Sequence, residues 1–366
     1  MLHLIFIAFV FLAVSKNKIT KSQKAISNTH SFSPVQLTTQ EEDLLVTNEK
    51  FLQEKIKQSG PAAVLTKLEE VTSREKILCH DKAHILGRLT YEVFGGESFK
   101  LCSSDCHSGC YHGATEAYFR DKGTANLEQN LSLICQNESN HFFSHQCLHG
   151  VGHGLMAWTN YELYEALDAC EKLSADNQKH SCWTGVFMEN IVGGLSEARN
   201  TGHFTKYLSS DPQFPCDSID NKYKSDCYFL QTSRMMQLFN SDFHKIASSC
   251  KNVPSQYQSS CFQSMGRDIN GSSNHDIAKS IANCHFAPFG DYRNDCLAGA
   301  VQDTFWTDKG ESEALTFCSL LKDEKELKRC YETILNRAKD ILDRNKYRQM
   351  CPKIPQPYNS SCQELN

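Results

Sequence analysis

The segment FHKIASSCKNVPSQYQSSC, residues 243–261, contains one complete unit of the pattern that decides the fold. An amphipathic stretch ends at Cys250, a polar loop follows, and Tyr257-Gln-Ser-Ser-Cys261 opens a second stretch. Because serine before the second cysteine suits a helix N-cap, we interpret the unit as a helical hairpin. Cysteines in the last turn of one helix and the first turn of its antiparallel neighbour lie within disulfide distance.

The same unit recurs along most of the chain. Seven cysteine pairs have partners eleven or twelve positions apart: Cys135/Cys147, Cys170/Cys182, Cys216/Cys227, Cys250/Cys261, Cys284/Cys296, Cys318/Cys330 and Cys351/Cys362. Their first members advance by 35, 46, 34, 34, 34 and 33 residues. This period, which resembles that of tetratricopeptide arrays in organisation only, predicts an all-α fold. We expect a disulfide-stapled helical-hairpin repeat array, that is, an α-solenoid, behind an N-terminal histidine-rich helical region.

The sequence also predicts how the chain is divided into segments. We expect a signal peptide at 1–15, a flexible leader at 16–39, an N-terminal helical region with a His/Cys cluster at 40–124, and disulfide-stapled repeats at 125–366. The 46-residue step between Cys170 and Cys216 predicts a loop insertion within Gly193 to Pro215, a stretch rich in glycine, serine and proline.

Cysteine usage and the N-terminus indicate the compartment. An even count of 18 cysteines at regular spacing is typical of a secreted or periplasmic protein with structural disulfides. The apolar run from Leu2 to Val14 is too short to span a bilayer comfortably and favours a cleaved signal. Lys16, Lys18 and Lys21 follow that run, an arrangement that is also found in uncleaved signal-anchors of the opposite orientation. Membrane contact is therefore expected only if the segment stays uncleaved. Four N-glycosylation triplets begin at Asn130, Asn137, Asn270 and Asn359.

Four cysteines remain outside the ladder: Cys79, Cys102, Cys106 and Cys110. Two disulfides would use them all, in any of three connectivities. Cys102-Ser-Ser-Asp-Cys106-His107 also resembles a covalent haem attachment motif with one extra residue between the cysteines. A thiolate metal site is the third alternative for these residues.

Histidines are concentrated in one part of the chain. Eight of the 15 lie between His80 and His153. Three pairs of metal-ligand residue types have the spacing that places both on one helix face: His80/His84, His112/Glu116 and His149/His153. Three helices that each offer two ligands can build a mononuclear or dinuclear site. We therefore predict a transition metal ion, zinc, iron or copper, bound by these six side chains.

The repeat register supports a functional role for these residues. His112 and His149 each stand two positions after a cysteine and directly before a glycine. The next repeat has Thr184 and Met188 at the equivalent positions, so its ligand residue types are replaced by those of a packed helix. A departure from a repeated structural pattern is expected at a functional site.

The leading functional hypothesis is an extracytoplasmic metal-binding protein. In its enzymatic form, the metal would activate water or carry electrons. One alternative is a non-enzymatic scaffold whose solenoid face binds a protein or a glycan. Another is a haem protein with glycine-rich helices against the ring, suggested by Gly150, Gly152 and Gly154. A net charge of −5 gives no support for a nucleic-acid partner, and no nucleotide, phosphate-loop or hydrolase motif is present.

Overall fold

Helices joined by short turns make up the part of the chain that the structure describes, and no strand occurs in that part. The structure is a computed structural model that describes residues 31–366 except 76, 78, 104, 107, 136–140, 194–204, 307–309, 343, 361 and 363–366. The all-α class is therefore confirmed. The predicted signal peptide, the leader up to residue 30, His107 and Asn137 lie outside the described residues.

The N-terminal helices precede the first ladder cysteine. They are α1 (Thr39–Thr47), α2 (Glu49–Ser59), α3 (Pro61–Glu75), α4 (Cys79–Phe94), the short α5 (Ser98–Leu101) and α6 (Gly109–Lys122). A 3₁₀ turn at Gly95–Glu97 joins α4 to α5. Helices α4 and α6 are the ones that carry the first histidines, and they pack directly on each other.

The hairpin helices follow at the predicted period. They are α7 (Leu127–Cys135), α8 (His141–Trp158), α9 (Leu163–Cys170), α10 (Asp176–Met188), α11 (Asn221–Leu238), α12 (Phe243–Lys251), α13 (Ser255–Ser272), α14 (Ile277–Cys284), α15 (Asp291–Asp303), α16 (Gly310–Ser319), α17 (Glu324–Ile341) and α18 (Arg344–Met350). Two cysteine pairs depart from the expected form. Cys216 lies in a turn-rich segment rather than at the end of a helix, and Cys351 and Cys362 lie in 3₁₀ turns after α18.

Disulfides close the hairpins as the spacing predicted. All seven ladder pairs are bonded, with Cα–Cα distances of 5.4 to 5.8 Å. In the chain-entropy account, closing a loop of this size stabilises the fold by roughly 3 kcal/mol. The remaining cysteines pair as Cys79–Cys106 and Cys102–Cys110. Both the haem-attachment and the thiolate-metal alternatives are therefore wrong, because every sulfur in that segment is in a disulfide.

Aromatic contacts set the register between successive hairpins. In four of the seven hairpins a tyrosine stands four positions before the second cysteine, and it packs on the aromatic residue that follows the second cysteine of the preceding hairpin. The pairs are Tyr223 on Trp183, Tyr257 on Tyr228, Tyr292 on Phe262 and Tyr358 on Tyr331, with ring centroids 4.6 to 5.6 Å apart. The recurring Tyr-x-x-x-Cys element is thus the joint between repeats.

The second helices of the hairpins form a row that returns to its start. Helix α8 packs on α10, and the row continues through α11, α13, α15 and α17. Helix α17 then contacts α8, so these six helices surround a central chamber. Helix α6 packs on the other side of α8, and α4 packs on α6. The histidine-bearing helices therefore lie beside the ring and share α8 with it.

Glycines allow unusually close helix crossings in this row. A Cβ atom added at Gly185 of α10 would overlap the carbonyl oxygen of His149, and one added at Gly152 of α8 would overlap that of Cys182. Each glycine thus lets the backbone of the neighbouring helix approach within contact distance. Gly150 and Gly154 likewise face α6, against His112 and Phe119. Helix packing therefore accounts for Gly150, Gly152 and Gly154, which no longer support the haem alternative.

One predicted glycosylation triplet is incompatible with the fold. The Asn270 side chain is fully buried. Its amide nitrogen donates to Asp303, and its amide oxygen accepts from Ser280. A glycan at this position would require the helix to open, so the expectation for Asn270 is wrong.

Candidate metal centre

Five imidazoles from three helices converge in the interior. His80 and His84 come from α4, His112 from α6, and His149 and His153 from α8. The metal-ligand atoms of His80, His84 and His112 lie within 4.8 Å of one another, and so do those of His112, His149 and His153. His112 belongs to both groups. The sequence spacing had placed each pair on one face, and the packing of α4 on α6 and of α6 on α8 brings these faces together.

Two carboxylates orient one histidine in each pair. The Nδ1 atom of His84 lies 2.7 Å from Oε1 of Glu116, and Nδ1 of His153 lies 2.5 Å from Oε2 of Glu189. A carboxylate can only accept, so Nδ1 carries the hydrogen in both rings. The carboxylates are themselves anchored, because Arg88 donates to Glu116 at 2.8 Å and Tyr161 donates to Glu189 at 3.3 Å.

Neutral acceptors orient the other member of each pair. The Nδ1 atom of His80 lies 3.0 Å from the carbonyl oxygen of Cys106, which can only accept. The Nδ1 atom of His149 lies 3.1 Å from Oγ1 of Thr184. The Thr184 hydroxyl donates its own hydrogen to the Ser181 carbonyl at 2.8 Å, so it accepts from His149. All four histidines are thereby fixed with Nδ1 protonated.

Fixing Nδ1 leaves the Nε2 lone pairs facing one another. The Nε2 atoms of His80 and His84 are 3.1 Å apart, and those of His149 and His153 are 3.2 Å apart. Two facing lone pairs repel unless a proton or a cation lies between them. Two nitrogen ligands of a tetrahedral zinc ion are about 3.3 Å apart. The spacing is therefore that of nitrogen ligands around a common ion.

His112 connects the two pairs. Its Nδ1 atom lies 3.3 Å from Nε2 of His84, and its ring stacks on His153 with centroids 4.0 Å apart. Its Nε2 atom is buried and has no hydrogen-bond partner among the described residues. A buried nitrogen without a partner is costly unless it binds an ion or water.

Burial and nearby charge keep the ring nitrogens available. Burial, followed by the charges of Arg267 and Arg337, lowers the pKa of His149 to about 3. Burial and the neighbouring histidines lower the pKa of His112 well below its usual value. Both imidazoles are therefore neutral at physiological pH, which is the form that ligates metals.

The carboxylate beside His84 stays ionised. Burial raises the pKa of the Glu116 carboxyl, but His84 and Arg88 outweigh burial and hold its pKa below the ordinary value. Burial likewise lowers the pKa of His84, and Glu116 reverses this effect, so the pKa of His84 is raised overall. The ionised carboxylate makes its imidazole a stronger donor to any bound cation.

The structure thus brings together the five predicted histidines, and it places the predicted ligand Glu116 on Nδ1 of His84 and on Arg88. Sequence reasoning did not identify Thr184 or Glu189, both of which come from the hairpin that seemed to lack ligand types. Glu189 starts a π-helical turn at the end of α10, one position beyond the expected register. Such turns are frequent at functional sites, but the turn is visible only in the structure, and no sequence motif marked Glu189.

The chain has no match among the three classes of known protein with which it was compared: family models, curated protein sequences and solved structures.

Proposed function

We propose that this protein is an extracytoplasmic metal-binding protein built on a disulfide-stapled α-solenoid. Its ligands are the Nε2 atoms of His80, His84, His149 and His153, with His112 shared between the two pairs. Glu116 and Glu189 hold the ligands in position from outside the coordination sphere. The observation that carries the proposal is the approach of the Nε2 atoms within each pair to 3.1 and 3.2 Å, in rings whose Nδ1 atoms all face hydrogen-bond acceptors.

The chemistry of the ligands narrows the choice of metal ion. Imidazole suits zinc, copper, iron and nickel, whereas magnesium and calcium prefer oxygen ligands. Carboxylate–histidine–metal arrangements, in which the second ring nitrogen donates to a carboxylate, are characteristic of protein zinc sites. With both carboxylates placed on Nδ1 atoms, the inner ligand set is all nitrogen. We therefore favour zinc or copper over iron.

The disulfides support a location outside the cytoplasm. Nine disulfides use every cysteine of the chain, and bonds of this kind persist in oxidising environments outside the cytoplasm. Among the described residues, no helix has the length and apolar character needed to cross a membrane. Secretion through the N-terminal segment is part of the proposal.

Elemental analysis tests the proposal. The full chain is exported through an oxidising compartment and purified without chelators or a histidine tag. We expect one or two equivalents of zinc or copper. Two equivalents would indicate one ion at each histidine pair, and His112 could ligate both ions only as an imidazolate, after releasing its ring proton to solvent. The double variant His149→Ala/His153→Ala should lose the ion bound by that pair, and so hold less metal than the wild type, while its disulfide ladder stays folded.

A matched control distinguishes the loss of the proposed ligands from the loss of any two histidines. His244 and His285 are both exposed and lie on the later hairpins. The double variant His244→Ala/His285→Ala should keep its full metal content. Equal metal content in wild type and in the His149/His153 variant would overturn the proposed ligand set.

A further inference from the structure

The central chamber has the size of a small-molecule site. Its volume is about 430 Å³, and ligand pockets for small molecules occupy roughly 300 to 1,000 Å³. Each of the six ring helices contributes to its lining. His180, Ser225 and Asn336 line it and are exposed, so the chamber is open to solvent.

The chamber reaches the candidate metal centre. His149 lines the chamber and also belongs to the group formed with His112 and His153. Thr184, which orients His149, lines the chamber as well. A molecule in the chamber would therefore lie against one edge of the histidine cluster, whereas His153 and His112 are buried behind that edge.

Positive charge is concentrated near this edge. Arg267 of α13 and Arg337 of α17 both line the chamber, and the charges of both act on the His149 imidazole. The Arg267 guanidinium is held in place by the Phe229 carbonyl at 2.9 Å and by Asp268 at 2.7 Å. A fixed guanidinium is well suited to recognise a carboxylate or a phosphate group.

The acidic residues of the lining are committed elsewhere. Asp226 accepts a hydrogen bond from His180 at 2.7 Å, and Asp303 accepts one from Asn270 at 3.0 Å. Burial raises the pKa of both carboxyl groups, which disfavours their charged form. The remaining lining consists largely of hydroxyl and amide side chains, namely Ser181, Ser225, Ser260, Gln263, Gln302 and Asn336.

We infer that the chamber binds a small polar molecule through an anionic oxygen group, a carboxylate or a phosphate, placed between His149 and the two arginines. The inference rests on the proposed function in one respect, since a metal ion held by His149 would add a further positive charge beside the same group. The hydroxyl and amide side chains would bind the rest of the molecule.

The test uses simple probes on the full chain. Malonate and inorganic phosphate represent the two kinds of anion, and malonamide is the uncharged control. Isothermal titration calorimetry is performed with zinc-loaded and with metal-free protein. We expect malonate, phosphate or both to bind, and malonamide to bind far more weakly. The stronger of the two anions identifies the chemical class.

Two variants locate the binding. Arg337→Gln should weaken anion binding by roughly tenfold or more, because it removes a charge-assisted hydrogen bond. Lys339→Gln is the matched control, since it removes the same charge from an exposed position on the same helix and should leave binding unchanged. Ser225→Trp, at the open side, should block the anion by filling the chamber without altering its charge.

The outcomes separate this inference from the proposed function. Bound metal without anion binding would overturn the inference and leave the proposed function standing. Anion binding that needs Arg337, in a protein that elemental analysis shows to take up no metal, would support the inference, and the metal proposal would then be refuted by the elemental analysis alone. Equal binding to wild type, Arg337→Gln and Ser225→Trp, or equal binding of malonamide, would overturn the inference.

Discussion

The α8/α10 crossing and the α13/α15 crossing are built alike and carry different chemistry. In both, a glycine five positions after a cysteine, Gly152 or Gly266, faces the partner backbone. The partner helix supplies a glycine three positions after its own cysteine in each case. Yet α8 has His149 and His153 where α13 has Gln263 and Arg267. The scaffold is therefore fixed by cysteine, glycine and aromatic positions, and the chemistry by two further positions per helix.

The difference in burial explains why, of these two crossings, only that of α8 carries candidate metal ligands. Helix α8 is covered on its far side by α6, so His153 is only 1 % exposed and meets His112 there. At the equivalent position of α13, Arg267 lines the open chamber. A neutral imidazole suits a closed interior, whereas a guanidinium suits a wet cavity.

The largest effect on metal affinity is expected from Glu116 and Glu189, whose carboxylates accept hydrogen bonds from His84 and His153. Glu189→Gln and Glu116→Gln should each weaken metal affinity by roughly 10- to 100-fold, because the imidazoles lose basicity and orientation. Asp268→Asn changes the carboxylate that holds Arg267 at the matching position of α13, and it should leave metal affinity unchanged. Competition with a chromophoric chelator measures all three. Similar losses in all three variants would break the distinction between the crossings.

The second prediction concerns the glycines of the crossings. Gly185→Ala and Gly299→Ala should each lower the free energy of unfolding by about 1–3 kcal/mol, because the new methyl group forces two helix backbones apart. Only Gly185→Ala should also weaken metal binding, since it displaces His149. Chemical denaturation and metal titration are the measurements.

Gly271→Ala supplies the control, because an added Cβ meets nothing within 4 Å there. It should be neutral or stabilise the protein by up to about 1 kcal/mol, owing to the better helix propensity of alanine. A metal affinity that falls equally in the Gly185 and Gly299 variants would show that the two crossings are coupled.

The smallest effect on metal affinity is expected from Thr184, whose hydroxyl contacts Nδ1 of His149. Thr184→Val keeps the side-chain shape and removes the acceptor for Nδ1, so metal affinity should fall only about 2- to 10-fold, the value of one neutral hydrogen bond. Thr333→Val removes a comparable hydroxyl-to-backbone bond in α17 and should leave affinity unchanged. A larger loss of metal affinity in Thr184→Val than in Glu189→Gln would contradict the expectation that the carboxylate contact matters more than the hydroxyl contact.

The sequence allowed prediction of features that depend on local spacing. The seven ladder disulfides follow from separations of 11 and 12 residues, and the histidine pairs follow from the pitch of a helix. The Cys79–Cys106 and Cys102–Cys110 pairing did not follow, because several connectivities fit the same spacing. Glu189 was missed because its contact with His153 depends on how two helices cross.

The closure of the row was likewise beyond the sequence pattern. A fixed period predicts stacked hairpins, but the small rotation between neighbours determines whether they form an open array or return to the first one. Here α17 reaches α8, and this contact turns the inner face into a chamber. The Tyr-x-x-x-Cys motif predicts contacts between neighbouring hairpins, such as Tyr292 on Phe262, but not the rotation that accumulates over the whole row.

X-ray absorption at the edge of the bound metal tests the central claim most directly. For the protein as purified, we predict a first shell of nitrogen at about 2.0–2.1 Å with the outer-shell scattering of imidazole rings. That result would establish histidines as the ligands. A sulfur shell at about 2.3 Å, an all-oxygen shell, or a protein that binds no transition metal would contradict the account.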